Sequence, residues 1–166
     1  SAYGEAVPQR SNGAIEAGKA GAVAALVRSM TTAIDGHPHT GAMSYAETHR
    51  DEAARHVAAI ESDAGGFTPL GFTCSLRDEA AEAVRRALLP LQGFGAGAFL
   101  PGAGAGGADL GPLLALGVPC YGLVVDGQRY FDYHHAAVDD LPAVHERELA
   151  LGAAAVAFAA WALADA

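Results

Sequence analysis

HVAAIESD, His56 to Asp63, is a short apolar run that ends in acids, and its reading decides the fold. Four consecutive apolar residues, Val57 to Ile60, have the form of a buried strand, and the acids then stand where such a strand leaves the core and can carry chemistry. The segment before it, AETHRDEAAR (46–55), is polar and helical. After it, GGFTPLGFTCS (65–75) reads as a loop. LRDEAAEAVRRALLPLQGF (76–94) reads as a helix with acids early and arginines late, in agreement with the helix dipole. PGAGAGGADLGP (101–112) is a Gly-rich loop, and LLALGVPCYGLVVD (113–126) leads into a second buried strand. YFDYHHAAVDDLPAV (130–144) is irregular, its two histidines coming at the end of a β-like run. HERELALGAAAVAFAAWALADA (145–166) closes the chain as a helix. Upstream, AIEAGKAGAVAALV (14–27) reads as a helix running into a strand, and TTAIDGHPHTGAMSY (31–45) as loop. Helix and strand alternate, which predicts an α/β fold with helices on the faces of a sheet. In such sheets ligands gather where strands end.

Composition narrows the function. The chain has 166 residues, enough for one domain with a real core or for one domain and a fragment of another. Half of it is apolar (51%), which argues against disorder. Nineteen acids against ten scattered Lys and Arg leave a net charge of −9, which excludes the basic stripe of a nucleic-acid binder or a protein of anionic membrane surfaces. Lys19 is the only lysine. The longest apolar run, Leu149 to Ala164, is mostly alanine and shorter than the roughly 20 residues of a bilayer span, so it reads as a buried terminal helix. Cys74 and Cys120 form no CxxC and read as buried small hydrophobes. The opening SAYGEAVPQRSNG has no apolar core of a signal peptide.

Three constellations bear chemistry. In ESDAGG, an acid at the end of a strand followed by two glycines suits a carboxylate ligand, because the strand fixes the side chain while the loop admits a metal. Asp63 could equally cap the following turn. In YFDYHH, the adjacent histidines lie near Asp132, Asp139 and Asp140, and imidazole binds zinc through one nitrogen while the other needs such an acceptor. Gly102, Gly104 and Gly107 satisfy GxGxxG with Asp126 about twenty residues on, the outline of a dinucleotide fingerprint. Pro101 and Pro112 count against it, since they interrupt the strand and the helix that such a loop joins. His37 and His39 in HPHTG have only Asp35 near them in sequence, and no metal spacing.

Taken together, GGADLGPLLALGVPCYGLVVDGQRYFDYHHAAVDDLPAVHERELALGAAAVAFAAWALAD resembles the C-terminal end of bacterial zinc-dependent exopeptidases of the aminopeptidase family that includes plasma glutamate carboxypeptidase. HRDEAARHVAAIESDAGGFTPLGF resembles a metal-ligand segment of the same family. YGEAVPQRSNGAIEAGKAGAVAALVRSMTTAIDGHPHTGAMSY is similar to part of its protease-associated domain. The resemblance implies two domains: residues 1–45 as a partial protease-associated domain, and residues 46–166 as the C-terminal part of a catalytic domain with a partial zinc-exopeptidase sheet flanked by helices. It implies Asp63 as the ligand of one zinc ion, His135 as the ligand of another, and Asp109 lining the substrate pocket. The family follows its histidine pair with Thr-Pro-Ala-Asp-Thr, where this chain has Ala136, Ala137, Val138, Asp139 and Asp140.

The family's HxD motif, bridging aspartate and Glu-Glu pair would fall between PHTGAMSY and AETHRDEAARHV, where this sequence runs straight on. The expectation is therefore an internally shortened zinc peptidase with no catalytic base among the residues placed by resemblance. Zinc would be held weakly, the peptide substrate of the family would not be hydrolysed by this chain alone, and the sheet would show an unpaired edge and an uncovered apolar face. Those features predict self-association, or a non-catalytic role as a remnant pairing with a full-length relative. A nucleotide-binding domain using the Gly loop is the remaining alternative. Export is expected only because relatives with a protease-associated domain are exported.

Overall fold

The computed structural model describes residues 40–104, 106–134 and 136–165, and residues 41–166 form one compact unit. Its sheet has four strands in the order β1-β4-β2-β3: β1 (Ala59–Glu61), β2 (Pro69–Cys74), β3 (Ala98–Pro101) and β4 (Cys120–Val125). β4 lies inside the sheet, parallel to β1 and antiparallel to β2, and is buried at every position but Val124. Its unbroken apolar run is what a strand covered on both faces requires. HVAAIESD contains the strand read from it, shortened to three half-buried residues because β1 is an edge.

GGFTPLGFTCS is not the loop its composition indicates, since it contains β2, the strand that joins β4 to β3. Pro69 and Gly71 produced the loop reading, because neither favours a strand interior. In the fold, Pro69 is the first residue of β2 and a register shift falls between it and Gly71. Gly71 is where β3 comes so near that a Cβ would collide with the Ala98 carbonyl. Both residues mark an irregularity within the strand.

Strand alternation sorts the side chains into two faces. Phe72, Cys74, Tyr121 and Leu123 point to one, into a core completed by Val84, Leu88, Leu91, Ala155, Ala159 and Leu163. These come from α2 (Asp78–Ala87), the 3-10 turn after it (Leu89–Phe94) and α5 (Glu146–Ala164). α5 is long and apolar enough to cross a membrane by length and composition alone. Its Gly152, Ala155, Ala159, Ala162 and Leu163 are buried while Leu149 and Trp161 are exposed, so it covers the core with one face and is not the buried helix expected. On the opposite face Ala59 and Cys120 pack with Leu113 and Val118, with Ala46 from α1 (Thr40–Thr48) and around α3 (Gly111–Ala115).

The sheet therefore does not show the bare apolar face expected, because each face carries its own packed cluster. An outer edge is present as β3, but it is four residues long and ends at Pro101, two features that blunt edge pairing. The irregular segment after β4 is a series of short helical turns, Gly127–Arg129, α4 (Tyr130–Tyr133) and Leu141–Ala143. His134 thus follows a helical turn, not a β-like run. His37, His39, His135, the GxGxxG residue between Gly104 and Gly106, and all but the last residues of the 1–45 segment lie outside the described residues.

Candidate metal-side carboxylate cluster

One row of the sheet organises the candidate site. Leu100, Thr73, Gly122 and Glu61 are register partners across β3, β2, β4 and β1, so their Cβ positions share a face. The Gly-rich loop crosses directly over this row. A Cβ on Gly106 would strike Gly122, and one on Gly107 would strike the Glu61 carboxylate. Thr73 fixes the middle of the row, its Oγ1 accepting from the Gly122 N–H at 2.9 Å.

Glu61 ends up beneath the loop as the last residue of β1. Its carboxylate accepts from the Leu110 N–H at 3.3 Å, and from the backbone N–H of Asp109. Burial pushes its carboxyl above the ordinary carboxylate range, and the charges of Asp63 and Asp109 push it the same way, against the two N–H donors that lower it. Two further acids, one from the segment after β1 and one from the Gly-rich loop, thus act on Glu61 through their charge. Such a group of negative charges is favourable when a cation or a proton joins it.

Of the residues singled out in the sequence, Asp63 and Asp109 each lie near enough for their charge to act on Glu61. Asp63 is exposed, two residues beyond the strand end. Glu61 itself was overlooked, although its signal was in plain view: two residues before Asp63, it has the spacing that puts side chains on one side of an extended chain. Among the described residues no three of His, Cys, Asp and Glu come together as a set that could hold a metal ion. The carboxylates present therefore do not make a closed zinc site, which takes about three or four protein ligands.

Neither cysteine adds a donor. Both are buried, and the Cys120 thiol is pushed up to about 11 by burial and then by the charge of Glu61, so it stays protonated. The Gly loop also does not serve a phosphate. A carboxylate faces Gly107, and the helix that follows is only five residues long, where a dinucleotide fingerprint opens a long one.

A second arrangement ties the neighbouring loops together. Glu148 on α5 accepts from Thr68 Oγ1 with one carboxylate oxygen and from the Arg129 guanidinium with the other, each at 2.7 Å. The Thr68 hydroxyl, and after it Arg129, hold the Glu148 carboxyl below its ordinary range. A carboxylate whose folded value is lowered adds stability that is present above its unfolded value, near 4.5, and is lost as pH falls through the folded value. Glu148→Gln is accordingly expected to flatten the fall of Tm below pH 4.5 relative to the parent chain. Thermal melts at pH 6, 4 and 3 check this, and parallel Tm curves for the two proteins would contradict it.

No family model matches the chain. Over 125 residues, 75% of the chain, it is 28% identical to carboxypeptidase Q of Rattus norvegicus, of which that stretch spans 26%. It is 30% identical over 101 residues to carboxypeptidase Q of Xenopus laevis, covering 61% of the chain and 21% of that protein. Among solved structures, the crystal structure of a peptidase M28 precursor from Shewanella amazonensis matches with a TM-score of 0.71 and 35% identity, over 76% of this chain and 28% of that one. The chain spans about a quarter of the length of the relatives it matches. A mixed four-stranded sheet flanked by helices, shared at this identity with a solved M28 peptidase and alongside sequence shared with carboxypeptidase Q, makes the chain similar to one part of an M28-type exopeptidase.

Proposed function

We propose that this chain carries one wall of a zinc exopeptidase centre, with Asp63 and His135 as ligands of two different ions and Asp109 beside the substrate pocket. The observation that carries this reading is the Gly-rich loop laid over Glu61 at the end of β1, with the charges of Asp63 and Asp109 acting on that carboxylate, in a chain whose fold matches a solved peptidase. The family's chemistry is hydrolysis of terminal peptide bonds, in which zinc polarises the carbonyl and lowers the pKa of a bound water. On this reading the chain supplies ligands and pocket, and the resemblance places no counterpart of the family's HxD, bridging Asp and Glu-Glu motifs on its residues. Residues 1–45 are read, on resemblance alone, as part of a protease-associated domain.

Cooperation among ligands gives structural zinc its apparent binding energy of about 10–16 kcal/mol, so one protein ligand per ion holds it weakly. Isothermal titration with zinc is expected to show binding weaker than micromolar, reduced by Asp63→Ala and by His135→Ala, with no turnover of aminoacyl or C-terminal peptide substrates by the chain alone. Tight binding of two ions with peptide turnover would overturn the inactive part of the reading. Zinc binding indifferent to both substitutions would overturn the ligand assignment.

A further inference from the structure

The segment that runs on from Asp63 and the segment that runs up to His135 meet away from the carboxylates, and one side chain spans them. The Thr68 carbonyl accepts from the Asp126 N–H at 2.8 Å, which brings the two backbones together as β4 ends. Arg129 then lies with its guanidinium carbon 5.0 Å from the Phe67 ring centre, and Phe67 faces Tyr133 at 6.2 Å. Tyr130 stacks on His134 at 4.6 Å, so the aromatic series continues to the residue before His135. Glu148 closes the ring from α5: one oxygen takes the Thr68 hydroxyl and the other takes Arg129.

The bland role for an acid here is to complement the helix dipole, since Glu148 lies in the first turn of α5. Glu146 in the same turn is exposed and could serve that purpose equally. Glu148 differs in having both oxygens committed to other segments, with its side chain only 20% exposed against 46% for Arg129.

We propose that Glu148 is a positioning residue that holds segments 63–68 and 126–134 together as one body. Its bearing on metal rests on the ligand reading of Asp63 and His135 given above. If those two are ligands, Glu148 fixes the spacing between the chain leaving one and the chain entering the other. The coupling of the two segments stands independently of that reading.

Hydrogen–deuterium exchange on the whole chain tests the coupling. Glu148→Ala is expected to raise exchange severalfold in peptides covering both 63–68 and 126–134, with β2 and β4 unchanged. Glu148→Gln keeps a carbonyl oxygen for Thr68 and loses the ion pair, so it is expected to loosen mainly 126–134. Thr68→Val does the reverse, loosening mainly 63–68. These two milder variants carry the test if Glu148→Ala does not fold. Increased exchange confined to the first turn of α5, or spread evenly over the chain, would overturn the proposal. Zinc titration separates the two claims: Glu148→Ala is expected to weaken zinc binding severalfold, and less than Asp63→Ala does. Loss of coupled protection without change in zinc affinity would remove Glu148 from the metal's support. Zinc affinity unaffected by Asp63→Ala would instead remove the ligand reading and leave the exchange pattern to decide the coupling.

Discussion

Phe72→Ala is expected to lower the unfolding free energy by about 3–5 kcal/mol, the range for truncating a buried aromatic residue in a packed core. Phe72 is 1% exposed, in the middle of β2, with Phe99 and Leu123 as its register partners on either side. Its ring belongs to the cluster that joins the sheet to Val84, Leu88 and Leu91 below and to α5 alongside. Removing it takes contacts from three strands and leaves a void that backbone hydrogen bonding prevents the sheet from closing. Phe131→Ala serves as the control, because Phe131 is 83% exposed and its loss should fall within about 0.5 kcal/mol of zero. Urea denaturation of the two variants measures the difference, and equal midpoints would contradict the place given to β2.

That residue also shows where sequence reasoning stopped short. Strands such as β4 and helices such as α2 and α5 were legible because their patterns are local: an unbroken apolar run, acids before arginines, and an alanine-rich terminal stretch. β2 was not, because Pro69 and Gly71 are ordinarily loop residues and only the approach of Ala98, far along the chain, shows why a glycine is needed there. The same limit applies to the site. ESD drew attention to Asp63, but the carboxylate in the middle of the cluster is Glu61, and what makes it so is a loop some fifty residues later donating the N–H groups of Asp109 and Leu110. GxGxxG suggested a phosphate cradle from spacing alone. Gly106, which is not one of its three positions, is pressed on the sheet backbone at Gly122, and Gly107, which is one, faces the Glu61 carboxylate. Thr68 and Glu148 lie eighty residues apart and carry no joint signature at all.

Gly122→Ala is expected to cost about 3 kcal/mol, at the upper end for overpacking and a large part of an ordinary domain's stability of about 5–15 kcal/mol. A Cβ at Gly122 would meet the Gly106 Cα, and Thr73 Oγ1 at 2.8 Å. The first of these is backbone, so no rotamer change relieves it. Gly106→Ala meets the same obstacle from above, and Gly106 also has φ +85, where an alanine is strained. Because the two glycines face each other, the double variant is expected to cost clearly less than the sum of the single ones: once the loop has lifted for one methyl, much of the displacement is already made for the other. Gly111→Ala is the internal control, with nothing within 4 Å of its added Cβ, and should be neutral or slightly stabilising. The effect reaches the site by a specific route. A loop lifted from Gly122 also lifts from Glu61, withdrawing the Leu110 N–H and moving Asp109 away from that carboxylate. Zinc affinity should therefore fall in Gly122→Ala, and stay unchanged in Gly111→Ala. Denaturation midpoints and zinc titrations on the three variants check both parts. Additive losses, or a Gly122→Ala protein as stable as its parent, would show that the loop does not rest on the sheet as described.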